Sequence, residues 1–224
     1  MSRVLALIPA YNEATHIAEV VRGACAHLPV LVVDDGSTDS TATTAESAGA
    51  AVLRQAPNQG KGAALRAGFR YALKQGYEAV LTLDADGQHD PAEMAQFLHA
   101  YDERHADLIV GARTFSDMPF SRRLGNTLGT WAVSWAVGQP IRDDQSGYRL
   151  MARRLLEALL DSDESGFQFE VEMIATCVQH GFALDWVPIR TIYAGESSHI
   201  RPWRHIIEFS RIVWQIRRRL RQQN

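Results

Sequence analysis

Cysteine is nearly absent: Cys25 and Cys177 are the only two among 224 residues, and each sits in an apolar, helix-patterned stretch. A disulfide-stapled fold is excluded, and two buried thiols in a reducing compartment are expected. Lysine is scarce too, since Lys61 and Lys74 are two of 23 basic side chains. There is no Pro/Gly/Ser linker, low-complexity tract or internal repeat, and single cores extend to roughly 250 residues, so one compact domain accounts for most of the chain. The first residues meet Pro9 and Asn12 before any run of signal-peptide length can build, so a cytoplasmic location is expected. Residues 124–141 carry no charge and touch the ~18-residue lower limit for a membrane span. Asn126, Thr127, Thr130, Ser134 and Gln139 interrupt that stretch, which points to a helix buried in the protein or lying at an interface.

Nor is there a dominant charge. The net value of -3 conceals an asymmetry, because residues 200–224 hold seven Arg against Glu208 alone, leaving 16 basic and 25 acidic side chains before them. A nucleic-acid-binding protein would spread positive charge over a face, so nucleic acid is excluded. A basic terminus suits a local anionic partner such as a membrane surface.

The first 112 residues alternate short apolar runs with helical patterns. Strands are predicted at 4–8, 30–33, 51–53, 79–83 and 108–110, with helices near 14–26, 39–48, 61–75 and 91–105. This is the α/β repeat of an open, mostly parallel sheet flanked by helices. Beyond residue 112 the alternation breaks into helices near 121–137, 153–160 and 169–180, a strand near 147–152 and an extended stretch over 183–193.

Acidic residues follow two of the strands directly, Asp34-Asp35 after the second and Asp84-Ala85-Asp86 after the fourth. In such sheets the ligand crevice lies beyond the carboxyl ends of the strands, so both groups face it. Asp-x-Asp spacing says little alone, as Asp161-Ser162-Asp163 shows. With Gln88 close behind, the strand-end pair offers hard oxygen ligands for Mg²⁺ or Mn²⁺, whose shell waters and substrate phosphates would complete. Asp90 stands where the Pro91 helix needs its cap. Lys61, in Asn58-Gln59-Gly60-Lys61-Gly62, opens a helix; a phosphate contact and a plain helix start are both open. A Walker loop and a dinucleotide fingerprint are excluded by the glycine spacing.

Taken in order, Ile8-Pro9-Ala10-Tyr11-Asn12-Glu13, Val33-Asp34-Asp35-Gly36-Ser37-Thr38-Asp39, the Lys61 segment, Asp84-Ala85-Asp86-Gly87-Gln88-His89, Gly111-Ala112-Arg113 and Gln145-Ser146-Gly147-Tyr148-Arg149 resemble the motif series of family 2 glycosyltransferases. The similarity is greatest to the dolichyl-phosphate mannose synthase branch and runs from residue 4 to about 198. It implies a GT-A fold over residues 1–200, an inverting transfer from a GDP- or UDP-hexose, and a divalent metal. By position, Pro9, Tyr11 and Glu13 would line the nucleotide, and Val33 and Asp35 would read the base. Asp84, Ala85 and Asp86 would hold ribose and diphosphate together with Lys61, and Asp86 and Gln88 the metal. Arg113 would meet the sugar or the acceptor phosphate, with Arg149 also on the acceptor side. Asp34 reads as a structural carboxylate that orders the Gly36-Ser37 turn. Relatives often clamp the diphosphate with Arg and Lys around Gly-Glu-Ser-Lys. Here the chain has Gly195-Glu196-Ser197-Ser198, so His199, Arg201 or Arg204 would substitute.

Two acceptors are open. A polyprenyl phosphate is already ionised and needs no base, and Arg122 and Arg123, opening an apolar helix with Trp131 and Trp135, suit its head and chain. A saccharide or small-molecule hydroxyl would need a base, for which Asp144 is the candidate; orienting Arg113 or Arg149 is an equal alternative for it. A noncatalytic sugar-nucleotide-binding protein would dispense with the metal residues Asp86 and Gln88, which are present. In residues 201–224, Ile206, Phe209, Val213, Ile216 and Leu220 form one stripe, with Arg204, Arg211 and Arg218 turned away. That basic amphipathic helix either lies on the inner face of a membrane, making the protein peripheral there, or packs on the sheet.

Overall fold

The computed structural model describes residues 3–113, 120–160, 169–190 and 202–222, and of residues 120–122, 124 and 202–208 only the backbone. Seven strands form one sheet: β1 (Val4–Ala10), β2 (Val30–Asp35), β3 (Ala51–Gln55), β4 (Ala79–Thr82), β5 (Leu108–Arg113), β6 (Arg149–Ala152) and β7 (Leu184–Ile189). Around it lie α1 (Ile17–Cys25), α2 (Thr41–Ser47), α3 (Lys61–Lys74), α4 (Met94–Arg104), α5 (Phe120–Val137), α6 (Arg153–Leu159), α7 (Phe169–Gln179) and α8 (Pro202–Arg221).

The strand order is β3-β2-β1-β4-β6-β5-β7. All pairings are parallel except those of β6, which runs antiparallel to both β4 and β5. The sequence pattern gives β6 its place in the chain but not its direction. The reversal has a functional result. Thr82 at the end of β4 and Val110 near the end of β5 both pair with Arg149 at the start of β6, so the residues leading into β6 lie at the same edge as the carboxyl ends of the parallel strands.

Side chains alternate along each strand, and each face of the sheet therefore collects its own core. On β1, Leu5 and Leu7 face a core with Phe69 of α3 and Phe169 of α7, while Val4, Ala6 and Ile8 face one with Val20 of α1 and Phe97 of α4. Ile212, Val213 and Ile216 of α8 join the first core, with Phe209 and Leu220 partly buried against it. The described part of the apolar stripe, from Phe209 onward, is thus spent on the protein, where α8 packs along α5.

Cys177 is buried, and burial pushes its thiol up to about 12. The expectation of two buried thiols fails at Cys25, which is exposed on the last turn of α1. Among the described residues, no helix is long and apolar enough to cross a membrane.

Candidate active site

At the end of β2 the two carboxylates divide their work. Asp34 Oδ1 accepts from the Ser37 amide at 3.1 Å, fixing the turn in which Gly36 adopts φ +80. Asp35 accepts from the amides of Gln59 at 2.9 Å and Gly60 at 2.7 Å, tying the loop before α3 to the sheet. Beside it, the Asn12 amide donates to Ser37 Oγ and the Glu13 amide to Thr41 Oγ1. The Pro9–Glu13 segment is thereby held against the β2 turn, with Tyr11 exposed and Val33 buried behind.

Lys61 stands at the centre of the edge. Its Nζ lies 2.6 Å from Asp84 Oδ1 and 2.7 Å from Glu170 Oε1 on α7. The sequence left a phosphate contact and a plain helix start open; the structure adds a third arrangement, an ion pair with two carboxylates. Burial alone would lower the lysine pKa, but Asp84 and Glu170 outweigh it and raise it further. Burial would likewise raise Asp84, yet Lys61 and His89, whose Nε2 is 3.4 Å away, hold its carboxyl well below the usual range. Both groups are charged at neutral pH. Together with Pro9, Thr82, Gly147 and Arg149 they line a tight pocket. Gly147 has to be glycine there, because any Cβ would collide with the Asp84 carboxylate.

Asp86 is placed differently. Its Oδ1 accepts from the Gln88 amide at 2.9 Å, and its pKa is raised, chiefly by burial, with the Asp84 charge adding to the effect. A carboxylate whose anion is disfavoured gains most from a cation brought alongside. Among the described residues no group of three acidic, His or Cys side chains gathers to hold a metal unaided. One carboxylate and the Gln88 amide oxygen fit a hard ion that takes its remaining ligands from a diphosphate and water. Ala85, between the two Asp, is buried, and Asp90 caps its helix through the Ala92 amide.

Across the edge, Arg113 ends β5 and is gripped by the fully buried Asp143, with Nε to Oδ2 at 2.7 Å and Nη2 to Oδ1 at 2.9 Å. Asp143 also accepts from the amides of Gln145 and Ser146. The residue that orients Arg113 is therefore Asp143, not Asp144. Asp144 is 1% exposed, accepts from Thr130 Oγ1 on α5 at 2.8 Å, and leaves Oδ2 buried without a partner. Burial, then the neighbouring Asp143 charge, raises its pKa.

Arg149, expected on the acceptor side, is completely buried and donates to the carbonyl oxygens of Ser146, Asp144 and Glu170. That placement makes it a brace for the 143–147 loop. Arg123 is exposed on α5. The side chains of Arg122 and Arg204, like His199 and Arg201, lie outside the described residues, and so does the proposed clamp.

Sequence reasoning missed Asp143 and Glu170. A signal for Glu170 existed: in residues 169–178 only Glu170, Glu172 and Thr176 are polar, and an acidic residue in a helix so largely apolar needs a cation.

The model of "Glycosyl transferase family 2" matches residues 6–163. Polyprenol monophosphomannose synthase of Mycolicibacterium smegmatis is 35% identical over 204 residues, covering 84% of this chain and 76% of that protein. Undecaprenyl-phosphate mannosyltransferase of Micrococcus luteus is 35% identical over 202 residues, covering 84% and 82%. In three dimensions, glucosyl-3-phosphoglycerate synthase from Mycobacterium tuberculosis, solved with Mn²⁺, uridine diphosphate and phosphoglyceric acid, superimposes with a TM-score of 0.74 over 98% of this chain and 78% of that one, at 19% identity. That likeness is one of fold, and the fold is GT-A. The extent of the family match and the identity of the two curated relatives place the chain in glycosyl transferase family 2, within its dolichyl-phosphate mannose synthase-like branch.

Proposed function

We propose that this chain is an inverting, metal-dependent hexosyltransferase that moves mannose or glucose from a GDP- or UDP-sugar to a polyprenyl phosphate. In this reading residues 1–200 carry the chemistry, and 201–224 help hold the protein to the inner face of a membrane. The two curated relatives bear names that couple mannose to polyprenol and undecaprenyl phosphate, which supports the acceptor class.

The burial of Asp144 carries the choice of acceptor. A hydroxyl nucleophile needs a base within reach of its proton, and the carboxylate the sequence offers for that role is 1% exposed and bonded to Thr130. An ionised phosphate needs no base. One of its oxygens attacks the anomeric carbon, the bond from that carbon to the diphosphate breaks on the opposite side, and the nucleoside diphosphate leaves. Arg113, held at the edge by Asp143, supports a guanidinium fork for the attacking phosphate. Pro9, Tyr11, Glu13, Val33 and Asp35 would frame the nucleotide, and Asp84, fixed by Lys61, would set the loop that carries Asp86. A Mg²⁺ or Mn²⁺ ion held by Asp86 and Gln88 would offset charge on the departing diphosphate.

The test is a screen of GDP- and UDP-hexoses with Mg²⁺ or Mn²⁺ against a short-chain prenyl phosphate and, separately, sugar acceptors. Formation of a prenyl-phosphate hexose with the anomeric configuration inverted is expected. Transfer only to hydroxyl acceptors would overturn the reading.

A further inference from the structure

We propose that the outer aromatic face shared by α5 and α8 is the surface by which this protein lies on an anionic lipid bilayer. The inference rests on the polyprenyl-phosphate reading and names the partner on the acceptor side of that site. With the apolar stripe of α8 buried against α5, the side chains left pointing outward are different ones. Leu128, Trp131 and Trp135 follow one another at steps of three and four on α5, which puts them on one face. Trp131 is 70% exposed, and Trp214 on α8 is 65% exposed. Exposed apolar side chains are ordinary when scattered, but four on two packed helices form a patch of the kind that marks an interaction surface. Trp suits the headgroup level of a bilayer, having an apolar body and a polar N–H.

The two helices are joined across this face by Arg217, whose guanidinium lies 5.1 Å from the centre of the Trp135 ring and one turn from Trp214. Arg211, Arg218 and Arg221 are exposed on the same helix, and no acidic residue occurs in 120–137 or 209–222. Glu208 is the one acidic residue in the sequence of the two helices, so the patch is aromatic with a predominantly cationic surround, the complement of a negatively charged leaflet. A second copy docking symmetrically on this face would set Arg against Arg.

The face also sits where an acceptor would use it. Thr130 of α5 touches Asp144 in the loop that carries Asp143 and grips Arg113. A lipid whose phosphate reached Arg113 would leave its chain beside the helices that rest on the membrane.

The test is sedimentation of the full chain with phosphatidylcholine vesicles, with and without phosphatidylglycerol. A triple variant, Trp131→Gln, Trp135→Gln and Trp214→Gln, is expected to bind at least ~10-fold more weakly to the anionic vesicles while still folding cooperatively in a thermal melt. Replacing Arg211, Arg218 and Arg221 by Gln is expected to weaken binding about 10-fold or more on anionic vesicles alone. Wild-type affinity in the Trp variant overturns the proposal, and so does a wild-type chain that ignores both vesicles. A Trp variant that changes oligomeric state but still binds vesicles shows a self-association face and also overturns it. Transfer to a short-chain, water-soluble prenyl phosphate is measured on the same preparations. If that transfer is absent while Trp-dependent vesicle binding is present, the acceptor reading fails and the docking face stands.

Discussion

On the β1–β2–β4 side of the edge, carboxylates are spent on backbone amides: Asp34 on Ser37, Asp35 on Gln59 and Gly60, Asp86 on Gln88. On the β5–β6 side the partners are other side chains, Arg113 with Asp143 and Thr130 with Asp144. Lys61 joins the two, bridging Asp84 on one side to Glu170 of α7 on the other. Asp34 and Asp86 cap turns within three residues of themselves, local devices that keep their shape when a neighbour changes, whereas Asp35 reaches 24 residues along the chain to Gln59. Long-range pairs depend on the whole fold and leave charges stranded when one member is removed.

That contrast predicts where function and stability part company. The largest effect on rate is expected from Asp86→Ala, which removes the carboxylate proposed to hold the metal and should lower turnover by ~10³-fold or more, the several kcal/mol that a Lewis acid contributes. Stability should hardly move, because Asp86 caps only its own turn. Turnover over a Mn²⁺ titration and a thermal melt on the same sample measure both quantities. Wild-type turnover of the variant in excess chelator would remove the metal role.

Lys61→Met should lower stability as well as rate. It leaves Asp84 and Glu170 facing each other without their cation, and breaking such a pair from one side costs about 3 kcal/mol. Urea denaturation should show the loss, and Lys61→Arg, which keeps the charge, should recover part of it. A Lys61→Met protein as stable as wild type would mean that the two carboxylates find other partners.

The same contrast explains how far the sequence could be read. Strand positions, the parallel α/β plan and the turn made by Asp34 follow from patterns within a few residues, where apolar periodicity and turn chemistry act. The antiparallel direction of β6 does not, since direction is decided by which strands it pairs with. Of the adjacent pair Asp143-Asp144 the sequence reading singled out Asp144, and only packing separates the one that holds Arg113 from the one that holds Thr130. Glu170 lies 109 residues from Lys61, and no local spacing announces their meeting. For α8 the periodicity was plain, but whether its stripe met lipid or protein was a question of what stood opposite, and α5 stands there.

A smaller effect is expected at Arg113. Arg113→Lys keeps a charge near Asp143 but loses the two-point grip seen at 2.7 and 2.9 Å. Under the phosphate-acceptor reading it should cost ~10- to 100-fold in kcat/KM for the acceptor, the 1.5–3 kcal/mol typical of a charge-assisted hydrogen bond. Donor affinity should be unchanged, as measured by nucleoside diphosphate binding. An equal loss on the donor side would move Arg113 from the acceptor to the sugar nucleotide.

The smallest effect on rate, and the sharpest separation of the two acceptors, is expected from Asp144→Asn. If Asp144 took a proton from a hydroxyl, the variant would lose ~10²- to 10⁴-fold in rate. With a phosphate acceptor it should stay within about threefold, provided the rate is limited by chemistry. Stability gives an independent reading. Burial raises the Asp144 pKa, so the folded state holds this proton more tightly than the unfolded chain does. Its contribution is therefore fully present below the unfolded pKa and declines as pH rises through the folded one. Asn has no charge to bury and its side-chain oxygen can still accept from Thr130 Oγ1, so the variant should melt at or above the wild type at pH 8. The advantage should shrink as the pH falls toward 4. A variant that melts normally and binds donor normally yet transfers a thousandfold more slowly would restore Asp144 as a base and the hydroxyl acceptor with it.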